Sequence, residues 1–319
     1  QFAGFTFGNS ASFFNFYQSD LQFVAGGGAA LDPSRTSSNL IAYTASFGSG
    51  FSATVSIEDP QFRRQGSIGI YTATGTQGAS QVDGVIYNGQ SIPDVVGNLR
   101  VDQGWGSAQV MAAYHEVRTN LAAPAAAPRT GVSATGWAIG GGVRLNLDML
   151  GRGDVLWLQA VYADGALGYA FTNDNSDGLQ QTRQNVQVGL LSAYYADGVL
   201  TGANTIAKSK AWSVHGGFRH FWTPALRSAL WGKYVNIDAP AVAGASPSDI
   251  RYWAVGVNTI WSPVRNLDLG IEVVYQNLNS RDNGSGANAA PTTISAATAN
   301  RFLGSQGAWS GMFRVQRNF

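Results

Sequence analysis

The sequence predicts an all-β protein, a transmembrane antiparallel β-barrel, on the strength of three observations. Apolar and polar residues alternate over many short segments, as in "FSATVSIE" at 51–58, which is the pattern of a strand with one apolar and one polar face. Short turns and long polar connections alternate along the chain. Aromatic residues gather where the segments begin and end. Together these features are typical of barrels in an outer membrane.

The composition excludes several other classes of protein. Only 12% of the residues are charged, and the chain holds 40 glycines and 9 tryptophans, which is too aromatic for a disordered chain and too glycine-rich for a helical one. A mean hydropathy of -0.05 argues against a helical membrane protein. Because cysteine is absent, neither a disulfide scaffold nor a cysteine-based metal site can form. A net charge of +1 argues against a nucleic-acid partner.

Each strand is predicted from its own alternation of apolar and polar residues. Twelve strands are expected, at 1–9, 40–47, 51–59, 94–102, 106–118, 136–147, 154–168, 210–222, 225–238, 250–261, 267–279 and 308–319. The long connections between them run at about 10–39, 60–93, 119–135, 169–209, 239–249 and 280–307. All of these elements are assigned to a single domain, 1–319. A soluble β-sandwich is the alternative, but it gives no reason for aromatic residues to cluster at strand ends.

The aromatic residues at the strand ends predict two girdles, one at each membrane interface. The external girdle is expected to contain Trp137, Tyr162, Trp212, Trp253, Tyr275 and Trp309. The periplasmic girdle is expected to contain Trp222, Trp261 and the terminal Phe319.

Four segments carry a resemblance to a known family. They are "PDVVGNLRVDQGWGSAQVMAAY" at 93–114, "QFAGFTFG" at the start, "SFFNFY" at 12–17 and "GMFRVQRNF" at the end. In order and spacing they resemble the general porins of alphaproteobacteria. The resemblance implies a 16-stranded, usually trimeric diffusion porin whose third external loop folds inward. Aligned in this way, Gln1 falls in the fifth strand, so about four strands, on the order of 100 residues at ~10 per strand plus loops, are expected to precede it.

Residues 10–39 are predicted to form the constriction of this pore. They follow a strand, are too many for a tight turn, and begin with an aromatic run that indicates packing against the inner wall. Asp20 and Asp32 would give the narrowing negative charge, and Arg35 would tether the loop to the wall. The alternatives are an ordinary external loop and a packed plug. The resemblance also implies that a calcium ion could lie near this loop, with Asp20 or Asp32 as its ligand.

The polar phase of the strands predicts which charged residues face the pore, because an Arg or Lys facing lipid at mid-depth costs roughly 2–4 kcal/mol. The inward-facing basic residues are Arg100, Arg144, Arg219, Arg227, Lys233 and Arg314. Their place, at the constriction, at a rim or in a wall salt bridge, stays open. A basic wall facing an acidic loop would create a transverse field that orients dipolar solutes. Because acidic wall residues nearly balance the basic ones, the ion selectivity also stays open.

The function predicted from these residues is passive general diffusion of small hydrophilic solutes and ions across a Gram-negative outer membrane. No cofactor or nucleic acid is expected, and the partners are outer-membrane lipids and, by resemblance, two further copies in a homotrimer. One alternative is a substrate-specific channel. Another is a β-barrel hydrolase, which needs a serine, a histidine and an orienting group within hydrogen-bond reach. His220 faces outward but has no evident serine partner in the sequence.

The glycine-rich run "GWAIGGG" at 136–142 invites comparison with a nucleotide-binding loop. It lies inside an alternating strand, and no helix follows it. The glycines therefore indicate that another strand or a loop approaches this strand closely.

Overall fold

Strands with the period-two pattern pair with their neighbours in chain order to form one antiparallel sheet. The computed structural model describes residues 3–16, 21, 36–64, 90–120, 131–171, 196–200, 205–240, 248–282 and 304–318. The twelve strands of the sheet are β1 (Phe5–Ala11), β2 (Ser37–Gly48), β3 (Phe51–Glu58), β4 (Asp94–Gln103), β5 (Gly106–Asn120), β6 (Gly131–Asn146), β7 (Val155–Asp164), β10 (Lys210–Thr223), β11 (Leu226–Asp238), β12 (Ser248–Val264), β13 (Leu267–Asp282) and β14 (Gly304–Arg317). A strand lies at each of the twelve predicted places, although several strands begin or end at other residues than predicted.

Three shorter elements lie between these strands. A 3-10 turn at Pro60–Phe62 follows β3, and a one-turn helix, α1 (Leu167–Ala170), follows β7. The strands β8 (Gly198–Leu200) and β9 (Ile206–Lys208) form a separate two-stranded sheet. None of these elements was predicted, because short segments without periodicity give no signal in the sequence.

The predicted strand 154–168 is wrong in its last four residues. β7 ends at Asp164 because Gly165 has a φ of 66°, a left-handed conformation that turns the chain out of the sheet. The residues after Gly165 fold onto the inner face of the sheet as α1 instead of extending it.

The two faces of the sheet differ as the sequence predicts. On β3, the apolar side chains of Phe51, Val55 and Ile57 are 55%, 60% and 50% exposed. The side chains of Ser56 and Glu58, which alternate with Val55 and Ile57, are buried on the opposite face. The apolar face is therefore the outer one, and the polar face is the inner one, which other parts of the chain cover.

The sheet is curled, because residues 13 and 21 contact strands that are far apart in it. Phe13 is held by Asn98 on β4, and Leu21 is held by Asn258 on β12. These strands are six neighbours apart, which is about 29 Å in a flat sheet. Eight residues reach that far only when fully extended, and this segment begins with a turn in which the Asn15 amide donates to the Ser12 carbonyl at 3.0 Å. In the part of the chain that the structure describes, β1 and β14 each have one neighbour and do not pair with each other.

Two rows of aromatic side chains stand on the outer face, one at each end of the strands. At the end next to the long loops the rings contact one another across neighbouring strands, with centroid distances of 5.5 Å for Trp137–Tyr162, 5.2 Å for Trp253–Tyr275 and 4.8 Å for Tyr275–Trp309. At the end next to the short turns, the exposed rings are those of Phe47, Phe51, Trp105, Trp222 and Trp261. The two predicted girdles are thus confirmed, while Phe319 lies outside the described residues. Within the described ranges, no helix has both the length and the apolar character needed to cross a bilayer.

Candidate functional site

The six basic residues that the strand phase places inward do lie on the inner face. Lys233 is buried, and the five arginines are partly buried, each flanked along its strand by outward-facing positions. The predicted phase is confirmed for Arg100, Arg144, Arg219, Arg227, Lys233 and Arg314.

Two of these arginines form ion pairs with aspartates on the same wall. Arg100 donates to both carboxylate oxygens of Asp102 at 2.8 Å, and Arg227 donates to Asp268 at 2.9 Å. The Arg100 guanidinium also stands 5.5 Å from the centroid of the Phe16 ring. These two arginines therefore belong in part to wall salt bridges, which was one of the placements that the sequence left open.

The five arginines share one level of the wall, close to the short turns. Arg100 and Arg144 lie within four residues of the last residues of β4 and β6, and Arg219, Arg227 and Arg314 lie equally near the turn ends of β10, β11 and β14. At about 3.3 Å per residue this is within roughly 13 Å of the strand ends. Lys233 lies nearer the middle of β11. The basic wall is thus concentrated toward the end that carries the short turns.

The beginning of the predicted constriction segment packs against the inner wall. The Phe13 amide donates to Glu58 at 3.0 Å, and Asn98 donates to the Phe13 carbonyl at 2.7 Å. The Phe16 ring lies on Gly142 so closely that a Cβ at that position would be 2.3 Å from it. Gly142 is therefore a glycine of the kind that the run at 136–142 predicts, one that allows a loop to approach.

The far end of the described segment reaches the opposite wall. The Leu21 side chain is buried beside Gly217, and its carbonyl accepts a hydrogen bond of 2.6 Å from the Asn258 amide. Asn258 also donates to Glu272, which accepts a second bond from the indole of Trp231 at 2.9 Å. Phe13 and Leu21, eight residues apart in the chain, are therefore held on strands that are six neighbours apart in the sheet. Asp20, Asp32 and Arg35 lie outside the described residues.

A second segment also folds inward, at a place where the sequence predicts the end of a strand and the beginning of a long polar loop. The side chains of Leu167, Tyr169 and Phe171 are wholly buried, and the Tyr169 ring meets the Phe14 ring edge-on at 4.7 Å. The Tyr169 hydroxyl donates to Asp94 at 2.7 Å. Burial, with the neighbouring carboxylate, raises the pKa of this hydroxyl well above its usual range, so it stays a donor. The run "LGYAF" at 167–171 is apolar, but five residues without a period do not distinguish an inward-folded segment from the end of a strand.

A buried ionic cluster anchors this second segment to the wall. The Nδ1 atom of His115 lies 2.8 Å from Asp94, and its Nε2 atom lies 3.7 Å from Asp197. Asp197 accepts a hydrogen bond from the Leu167 amide at 2.7 Å. The histidine, which has no metal-ligand spacing in the sequence, is therefore part of a structural ion-pair cluster. Among the described residues, no group of three or more His, Asp or Glu side chains is arranged to hold a metal ion.

The arrangement needed for a hydrolase is incomplete on the outer face. His220 bonds Asp154 through Nδ1 at 2.6 Å, and Ser228 stands directly opposite it in the strand register. The Ser228 hydroxyl instead accepts from the Trp222 indole at 3.0 Å and bonds Thr259 at 2.9 Å. Within the described ranges no hydrogen bond joins the serine to the histidine, so the nucleophile lacks its base.

An apolar outer face bounded by two aromatic girdles, with a polar inner face on which chain segments pack, defines a channel protein of the outer membrane. Comparison with known families agrees: residues 1–311 match the family described as Porin subfamily, and the chain belongs to this family. The resemblance to porins is thereby confirmed. The protein is an outer-membrane diffusion channel of a Gram-negative bacterium, and its family indicates a channel rather than an enzyme.

Solved structures with a similar fold are also outer-membrane proteins. The outer membrane channel DcaP of Acinetobacter baumannii is similar with a TM-score of 0.58 and 16% identity, over 98% of this chain and 72% of that one. OmpT of Vibrio cholerae has a TM-score of 0.45 and 10% identity, over 98% and 76%. An anion-selective porin from Comamonas acidovorans has a TM-score of 0.41 and 14% identity, over 87% and 59%. At such identities only the fold is shown, and DcaP carries that argument. No curated protein matches the sequence.

Proposed function

We propose that the chain lines a passive general diffusion pore whose constriction lies where the segment 10–39 crosses the lumen. The observation that carries this proposal is the span from Phe13 on one wall to Leu21 on the other, fixed by Asn98 and Asn258. A segment pinned at both ends narrows the water-filled cross-section at that level. Solutes small and polar enough to pass it diffuse down their gradient without any bond being made.

The charge of the constriction is the second part of the proposal. Asp20 and Asp32 supply negative charge on the loop side, Arg35 tethers the loop, and the inner wall supplies the basic side. The arginines near the turn ends support this assignment, because they face the lumen from several strands. The resulting transverse field orients dipolar solutes and disfavours apolar ones.

The test is single-channel recording in planar lipid bilayers. The conductance should rise in proportion to the bulk salt concentration, and the reversal potential in a salt gradient should shift when Asp20 or Asp32 is changed to Lys. Asp238→Lys, an exposed position in the outward phase of β11, is the matched control. An unchanged reversal potential in both loop variants would remove the constriction assignment.

A substrate-specific channel is the second candidate, and the buried segment at Leu167–Phe171 favours it. A second inward fold leaves less free cross-section, and a narrow path lined by fixed polar groups can bind one solute. Conductance that saturates with one ion or solute, instead of scaling with bulk concentration, would decide for this candidate.

We also propose that the protein works as a homotrimer embedded in outer-membrane lipids. The family supports this assembly, and the apolar outer face fits the lipid. Cross-linking in mild detergent should give a trimer ladder, and a purely monomeric ladder would oppose it. The calcium site near Asp20 and Asp32 stays a proposal of the same kind, which isothermal titration with Ca²⁺ tests.

A further inference from the structure

Arg63, just after the 3-10 turn that follows β3, is almost completely buried, with only 1% of its surface exposed. Arginine is rarely buried to this extent unless its guanidinium has partners. Its backbone is fixed, because the Arg63 amide donates to the Pro60 carbonyl at 2.8 Å and Asp59 caps the turn through the Gln61 amide at 3.0 Å. The guanidinium therefore projects from a rigid base.

The guanidinium contacts both inward-folded segments at once. One nitrogen donates to the Gly168 carbonyl at 2.9 Å, and another donates to the Asn15 side chain at 3.1 Å. Its central carbon stands 4.3 Å from the centroid of the Tyr169 ring and 5.8 Å from that of Phe14. The planar fork of an arginine suits this double contact, which the single ammonium of a lysine cannot reproduce.

The turn that carries Arg63 and the second inward segment are in direct backbone contact. A Cβ at Gly168 would lie 2.0 Å from the Arg63 carbonyl, so the backbones of the two segments touch. Behind them, Tyr169 is bonded to Asp94, which pairs with His115 on the barrel wall. A continuous chain of contacts thus runs from the wall, through the second segment and Arg63, to the loop that crosses the lumen.

Asn15 is the residue of the loop that this series of contacts reaches. Its side-chain oxygen accepts from Arg63, and its side-chain nitrogen donates to the Thr36 carbonyl at 2.8 Å. The Thr36 carbonyl oxygen also accepts a hydrogen bond from the Ser12 amide at 3.1 Å. The beginning of the loop is therefore bonded to its end at this one oxygen atom.

We propose that Arg63 is a positioning residue that couples the external segment 165–171 to the constriction loop and thereby holds the pore at one open width. This inference rests on the proposed function. Without the guanidinium, Asn15 loses its link to the second segment, while the anchors at Phe13 and Leu21 remain. The loop then gains alternative positions between fixed ends, and the open pore changes width in steps instead of staying constant.

The experiment is single-channel recording of full-length wild type, Arg63→Ala, Arg63→Lys and Arg152→Ala, the last an exposed turn arginine that serves as control. Mutation of a coupling residue commonly changes the equilibrium between two conformations by about 2- to 30-fold. Arg63→Ala should therefore raise the frequency of subconductance steps by that factor. Arg63→Lys should rescue little of it, and Arg152→Ala should behave as wild type. Heat-modifiability on gels reports barrel folding separately.

A second pair of variants decides the matter if Arg63→Ala does not fold. Asn15→Asp keeps the oxygen that Arg63 binds, whereas Asn15→Ala removes it. We expect frequent subconductance steps in Asn15→Ala and few in Asn15→Asp. Equal step frequencies in this pair, or a folded Arg63→Ala pore as steady as wild type, would overturn the inference. A wild-type protein that conducts no ions would instead overturn the proposed function.

Discussion

The contact between Phe16 and Gly142 allows a sharp test of how the beginning of the predicted constriction segment packs on the inner wall. A methyl group at 142 would lie 2.3 Å from the nearest ring carbon and 2.9 Å from the next. Carbon atoms pack at about 3.5–4.0 Å, so in Gly142→Ala the ring has to move by roughly 1.2–1.7 Å. The wall lies behind the new methyl group, so the ring moves toward the lumen. We expect a lower single-channel conductance.

The same displacement carries an energetic cost. Phe16 is 6% exposed, and overpacking of this kind typically costs about 1–3 kcal/mol. We expect the urea midpoint of the variant in detergent to fall accordingly. Since Gly142 does not have a positive φ, its backbone accepts an alanine, and the contact with the ring alone produces the effect.

The neighbouring glycine provides the matched control. Gly141 points to the outer face, and a methyl group there would be 3.6 Å from its nearest neighbour, an ordinary contact. Gly141→Ala should therefore keep the wild-type conductance and stay within about 0.5 kcal/mol of wild-type stability. If Gly142→Ala and Gly141→Ala give the same conductance and the same urea midpoint, the packing of Phe16 on the wall is refuted.

Three further predictions concern the walls. Asp94→Asn removes the carboxylate from a buried ion pair and should lower the free energy of unfolding in urea by about 3–5 kcal/mol, and a loss below 1 kcal/mol would contradict the buried cluster. Asn258→Ala leaves a buried loop carbonyl without its donor, at a cost of about 1–3 kcal/mol, and voltage-dependent closure in bilayers should become more frequent. Arg314→Gln should move the reversal potential toward cation preference, whereas Arg317→Gln, exposed and in the outward phase of the same strand, should not; equal shifts would argue against the lumen assignment.

The strands, their faces and the girdles could be predicted because each depends on residues close together in sequence. The alternation in 51–58 alone fixes which side chains face outward, and the same reasoning places Arg314 inward. The glycine run also predicts that something approaches β6. It does not predict that the approaching residue is Phe16, because that contact depends on how the loop folds back onto the wall.

The second inward segment and its anchors could not be derived in this way. Arg63 and Gly168 are 105 residues apart, and His115 meets its two aspartates only after three separate segments have folded together. No local period marks such a cluster. Arg63 follows a strand and begins a polar loop. In the sequence it therefore looks like any exposed basic residue.

The position of the arginines near the short turns has an electrical consequence. Five arginines face the lumen within four residues of the turn ends of their strands, whereas Lys233, the sixth basic residue predicted to face inward, lies nearer the middle of β11. The fixed charge is thus distributed unequally along the pore axis. A narrow pore with such an axial asymmetry passes more current at one polarity than at the other. We therefore expect this channel to rectify at low salt and to lose the rectification as salt screens the arginines.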